Sequence, residues 1–161
     1  QREMVMMLLK RLGLTLGFVL GFASFAGAQD WHEPARGTQT RKNVMDAIRP
    51  LAEWQLGAPV QFVVDQLRVS NDRALAFLSP QRPGGAPIDV YSLPAVKRGE
   101  WQVDADGYLA DMDGVSIMAL LIKSGHTWVA QHFSIGATDL WIADPEICGD
   151  YLAVMSDFCY Q

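Results

Sequence analysis

Asp104-Ala105-Asp106-Gly107 and Asp111-Met112-Asp113-Gly114 repeat one Asp-x-Asp-Gly unit at an interval of seven residues. Carboxylates grouped around a glycine turn suit Ca²⁺, which takes several oxygen ligands at once. The spacing departs from an EF-hand loop, because Tyr108 stands at the third acidic position and no glutamate closes the run. Asp-Gly is also strong turn chemistry. Asp104, Asp106, Asp111 and Asp113 are therefore read as two acidic turns bracketing a short strand, with calcium the alternative. No cofactor is expected.

His32, His126 and His132 are the only histidines. His32 falls in an extended arm and His126 in a turn. His132 falls in an apolar segment, where period two places Trp128, Ala130, His132 and Ser134 on one face and Val129, Gln131, Phe133 and Ile135 on the other. On a concave sheet face His132 would meet Asp139 or Asp65, and a His–Asp pair can serve as a general base. No nucleophile accompanies it: neither Gly-x-Ser-x-Gly nor His-Glu-x-x-His occurs. Of the five tryptophans, Trp54 is expected in the core, Trp31 or Trp101 at the surface, and Trp101 and Trp128 as binding aromatics. Arg82 and the Lys97-Arg98 pair are read as solvated loop charges.

Cys148 and Cys159 form an even pair in the tail. In an exported chain such a pair is most simply a disulfide. Eleven residues of continuous helix would hold the two Cα atoms about 16 Å apart, and a disulfide needs less than about 7 Å. The tail must therefore double back, at Gly149 or at Ser156-Asp157.

The elements that position these residues follow from periodicity. A helix begins at Thr38 or Thr40, with Val44, Ile48, Leu51 and then Trp54 or Leu56 at helical spacing, and stops at Gly57. Pro50 inside it predicts a kink, or two helices meeting at Arg49. Alternation over 60–69, the turn Ser70-Asn71-Asp72 and a return over 73–78 give a hairpin. The Pro- and Gly-rich stretch 80–87 is a loop, and 88–93 is a short edge strand. Residues 115–123 and 127–135 form a second hairpin around Ser124-Gly125-His126, expected in the centre of the sheet because its first strand is apolar on both faces. Pro145 starts a tail helix.

The chain opens with Lys10-Arg11, an apolar run over 12–22 and Ala26-Gly27-Ala28, the order of a cleaved secretory signal. The run is shorter than the roughly 20 residues a membrane span needs. Residues 1–28 are thus a signal peptide and 29–161 a single domain, periplasmic or secreted. The formal net charge is −5. Cleavage would remove Arg2, Lys10 and Arg11 but only Glu3, leaving a more acidic remainder. Nucleic acid and, after cleavage, anionic membrane surfaces are poor partners for it.

The fold class is α+β, an amphipathic helix packed on a curved antiparallel sheet of four to five strands. Helix first, then meandering strands, resembles the cystatin-like and NTF2-like group over about residues 38–142. The wording Arg41…Asp46-Ala47-Ile48-Arg49-Pro50…Leu56-Gly57…Val60…Phe62-Val63-Val64, with Ile135-Gly136-Ala137-Thr138-Asp139-Leu140-Trp141, is also similar to exported bacterial proteins of unassigned activity. The resemblance implies a periplasmic setting and no activity. With no catalytic motif, the expected function is non-catalytic binding of a small ligand or an envelope protein. The alternatives are a small enzyme using His132 and a module that dimerises sheet to sheet.

Overall fold

A computed structural model describes residues 30–104 and 106–159. The signal-peptide segment lies outside the described residues. Thr38 opens helix α1, Gln39–Leu56: its side-chain hydroxyl accepts from the Arg41 amide, the usual service of a threonine N-cap. Gly57 ends the helix at φ 80°, a value that favours glycine, and its N–H donates to the Glu53 carbonyl. Pro50 interrupts neither side, and α1 is one continuous helix rather than two. Proline sits on its exposed side, where water can serve the carbonyl left without a partner. The buried stripe is Val44, Met45, Ile48, Ala52 and Leu56. Leu51 and Trp54, expected inside, are exposed, because the stripe continues from Ile48 in steps of four and small Ala52 lets the sheet approach.

Four strands follow: β1 (Gln61–Ser70), β2 (Arg73–Gln81), β3 (Ile117–Ser124) and β4 (Thr127–Ile135). They form one open antiparallel sheet in the order β1-β2-β3-β4. Both hairpins close on two-residue turns, with Ser70 opposite Arg73 and Ser124 opposite Thr127. Asn71 carries the positive φ, 49°, that the first turn demands. The second hairpin is not central. Sequential pairing puts β2 and β3 inside and β4 at an edge. The apolar run of β3 still has two buried faces, since Ala119 and Leu121 turn one way and Leu120 the other.

The sheet is covered on both faces. Helix α1 lies over Leu67, Val69, Ala74, Ala76, Leu78, Ile117, Ala119, Leu121 and Ile135. Helix α4, Pro145–Met155, covers Leu75 and Leu120 with Cys148, Tyr151, Val154 and Met155. Asp144 caps α4 by accepting from the Glu146 amide, and Pro145 occupies the first turn. The helix runs through Gly149, and the chain doubles back over 156–158 to join Cys148 to Cys159 at a Cα separation of 5.7 Å. No described helix is long and apolar enough to cross a membrane.

Two other expectations change. Residues 88–93 hold a 3-10 turn, Val90–Ser92, in place of an edge strand, because Asp89 caps the Tyr91 amide at 3.1 Å and Pro94 opens the short helix α2, Pro94–Lys97. The two Asp-x-Asp-Gly units bracket a helical turn, α3 (Tyr108–Asp111), rather than a strand.

Candidate functional site

His132 does not share a face with Trp128. Leu120 pairs with His132 and Leu121 with Ala130, so Gln131 is an extra residue in β4. Such a bulge reverses the in-out alternation beyond it. Trp128 and Ala130 therefore join Phe133 and Ile135 under α1, while Gln131 and His132 turn toward α4. The Tyr151 hydroxyl donates to Gln131 Oε1 at 2.8 Å, and burial pushes the Tyr151 phenol up to about 12. His132 stands half-buried, its ring centroid 6.2 Å from that of Trp141 and 6.0 Å from that of Tyr151, and the Trp141 indole donates to Ser134 Oγ at 2.7 Å. Asp65 lies on β1 and His132 on β4, at opposite edges of the sheet, about 14 Å apart by strand spacing alone. Asp65 is itself a bulge residue and accepts from Ser79 Oγ at 2.6 Å. Asp139 lines a separate hollow with Tyr108, Asp111 and Met112. The structure does not bring His132 together with either aspartate.

The binding aromatics are core. Trp128 is 5 % exposed and Trp101 8 %. Trp101 packs on Tyr108 at 5.1 Å between ring centroids, and the Tyr108 hydroxyl donates to the Ile135 carbonyl at 2.6 Å. Trp54 is the surface tryptophan, 61 % exposed, with the Arg98 guanidinium 4.2 Å above its ring. Arg98 also forks onto Glu100, at 2.6 and 2.8 Å. Asp104, Asp106, Asp111 and Asp113 stay apart: no three His, Cys, Asp or Glu side chains converge on a metal position among the described residues. What joins this segment to the sheet is backbone. The Asp113 amide donates to Gly136 and the Gly136 amide to Ser116, where a Cβ at Gly136 would meet the Gly114 carbonyl at 2.8 Å. Arg82 is no solvated charge, for it donates to the carbonyls of Leu56, Gly57 and Pro59 and so satisfies the end of α1.

Three further arginines gather at a groove on the other side of α1's start. A groove of about 580 Å³ runs between α1 and the outer edge of β1, lined by Arg36, Arg41, Met45, Arg49, Phe62 and Val64 among others. Arg41, Met45 and Arg49 fall at i, i+4 and i+8 on α1 and so share one face. Arg49 donates to the Val60 carbonyl and lies 5.0 Å from the Phe62 ring centroid. Arg41 donates to the Pro34 carbonyl at 3.0 Å and to Glu33 at 3.2 Å. Arg36 is exposed and enters no ion pair among the described residues. A guanidinium has five N–H donors, so the two anchored arginines keep donors to spare. The chain matches no known protein family, curated protein or solved structure. The groove is accordingly judged on its chemistry: a cationic wall over an apolar floor, fit for a carboxylate-bearing ligand. The arginine–methionine–arginine spacing was its one visible signal in the sequence.

A fourth arginine is used structurally. Arg68 is 5 % exposed and reaches from β1 to the tail. It forks onto Asp157 at 2.5 and 2.8 Å, donates to the Val154 carbonyl at 3.0 Å, and lies 4.5 Å from the Trp31 ring and 4.9 Å from that of Phe158. The hydrogen bonds from Arg68 hold the Asp157 carboxyl below the usual range.

Proposed function

We propose that this protein is an exported, non-catalytic binding domain that takes an anionic partner in the groove between α1 and the outer edge of β1. The observation that carries the reading is the gathering of Arg36, Arg41 and Arg49 in a chain of net charge −5. A local cationic wall in an acidic molecule concentrates anions where it stands. Export is supported by the leader-like order of residues 1–28 and by the Cys148–Cys159 bond, which belongs to an oxidising compartment. The helix-then-meander order supports a cystatin-like kinship, to which α4 on the second face would be an addition.

The experiment expresses the full chain in a bacterium and recovers it from the periplasm. N-terminal sequencing is expected to begin at Gln29, and native mass spectrometry reads anything retained. The purified protein is then titrated with short poly-glutamate. Saturable binding is expected, weakening as salt rises and falling at least tenfold in Arg36→Glu. Poly-glutamate that never saturates at low salt would remove the reading.

A further inference from the structure

The outer edge of β1 is divided in two. Toward its end, the extended arm pairs with it: His32 and Val69 exchange both main-chain hydrogen bonds, at 3.0 and 2.9 Å. The arm then turns into α1, with the Thr38 amide on the Ala35 carbonyl, and among the described residues no strand lies beside the edge over 61–64. The groove begins where the arm departs, at Arg36 and Gly37.

Main-chain groups on this free half face outward at defined places. Phe62 stands opposite Pro80 across the β1–β2 ladder. Proline has no N–H, so that position cannot be a mutually hydrogen-bonded pair. By alternation, Phe62 and Val64 direct their N–H and C=O groups away from β2, into the groove. An unpaired row of this kind is a template for another strand.

The arginines supply the second constraint. Arg41 and Arg49 are eight residues apart on α1, about 12 Å along the helix. On an extended chain, side chains at i and i+4 share a face and stand about 13 Å apart. Two carboxylates on one strand at that spacing meet both guanidiniums, which a single small anion cannot do.

We propose, resting on the anionic-groove reading above, that the groove is a strand-addition site for an extended acidic segment of a partner protein. Its main chain pairs with Phe62 and Val64, continuing the strand that His32 begins. Its carboxylates, on alternate residues, meet Arg36, Arg41 and Arg49. Met45 and the half-buried Phe62 and Val64 form the apolar floor beneath it. Glu33, already paired with Arg41, is the acidic group at the rim that the incoming segment displaces or shares.

The test uses the full-length secreted protein and a capped seven-residue peptide alternating glutamate with valine. Its control has the same sequence with alternate amides N-methylated, which keeps every charge and removes donors from one strand edge. The peptide is expected to bind, the control at least tenfold more weakly. Hydrogen exchange at the Phe62 and Val64 amides is expected to slow at least tenfold on binding. Val64→Pro, which deletes one outward donor at an edge where proline is tolerated, should weaken the unmethylated peptide at least tenfold. Equal affinity for both peptides, with Arg36→Glu weakening both, overturns strand addition while the anionic groove stands. Failure of both peptides and of poly-glutamate overturns the two together. Protection appearing at β4 amides instead would place the added strand at the other edge and overturn the proposal as well.

Discussion

Arg68 and Asp157 are partners in unequal surroundings, for the guanidinium is buried whereas the Asp157 side chain is 56 % exposed. Removing the exposed partner should therefore do more harm than replacing the buried one with an apolar chain. Asp157→Ala leaves a buried cation without its counterion and should cost about 2–3 kcal/mol, while Arg68→Met retains contacts with Trp31 and Phe158 and should cost less. The double variant should recover part of the loss, read from urea midpoints. The Asp157 carboxyl titrates lower folded than unfolded, so its contribution is complete above about pH 4 and fades as pH falls through the depressed value. Asp157→Asn should flatten that part of the acid limb. Tryptophan offers a second contrast at this scale. Trp128→Ala empties a core position and should cost about 3–5 kcal/mol. Trp54→Ala loses only a stack with Arg98 and should stay within about 1 kcal/mol in the same melt. An equal response at the two positions would contradict the burial assigned to them.

At the scale of elements, α4 depends on its closing loop. The Cys148–Cys159 bond closes a short loop and should contribute roughly 3 kcal/mol through the unfolded chain. Reductant should lower the urea midpoint of the native protein to that of the doubly substituted Cys148→Ser/Cys159→Ser chain. Identical midpoints with and without reductant would show that the loop contributes nothing. Much at this scale was legible in the residues. A helix followed by an antiparallel meander, turns within Ser70-Asn71-Asp72 and Ser124-Gly125-His126, and a helix starting at Pro145 all follow from local chemistry, while of the two places offered for the tail's return, Gly149 and Ser156-Asp157, the chain uses the second. The bulges at Asp65 and Gln131 were not legible, because an extra residue shows only when the opposite strand is laid beside it. That one residue is why period two alone puts His132 on the face of Trp128 and the fold does not. The groove escaped for a related reason: Arg36, Arg41, Arg49 and the strand edge come from three segments, and only the spacing within α1 lies in consecutive sequence.

For the whole molecule, helices on both sheet faces leave the edges as the places where main chain can meet a partner. The concave face expected to bind a ligand is filled by apolar packing, and the cations stand at its border. Each outer strand carries one residue more than its neighbour needs, Asp65 in β1 and Gln131 in β4. Removing a residue from mid-strand ordinarily throws half the strand inside out. Here the arithmetic runs the other way. Without Gln131, the succession Trp128, Val129, Ala130, His132, Phe133, Ser134, Ile135 alternates strictly, and every side chain keeps the side it already occupies. The shortened chain forfeits the Tyr151 hydroxyl bond, about 1 kcal/mol, and should still melt cooperatively. Deleting neighbouring Phe133 instead also absorbs the bulge, but it puts the His132 imidazole where Phe133 packs on the α1 side, and should destabilise the protein more. This sheet has spare length at its rims, and chains descended from a common ancestor could gain or lose a residue at these two points without changing what lies inside.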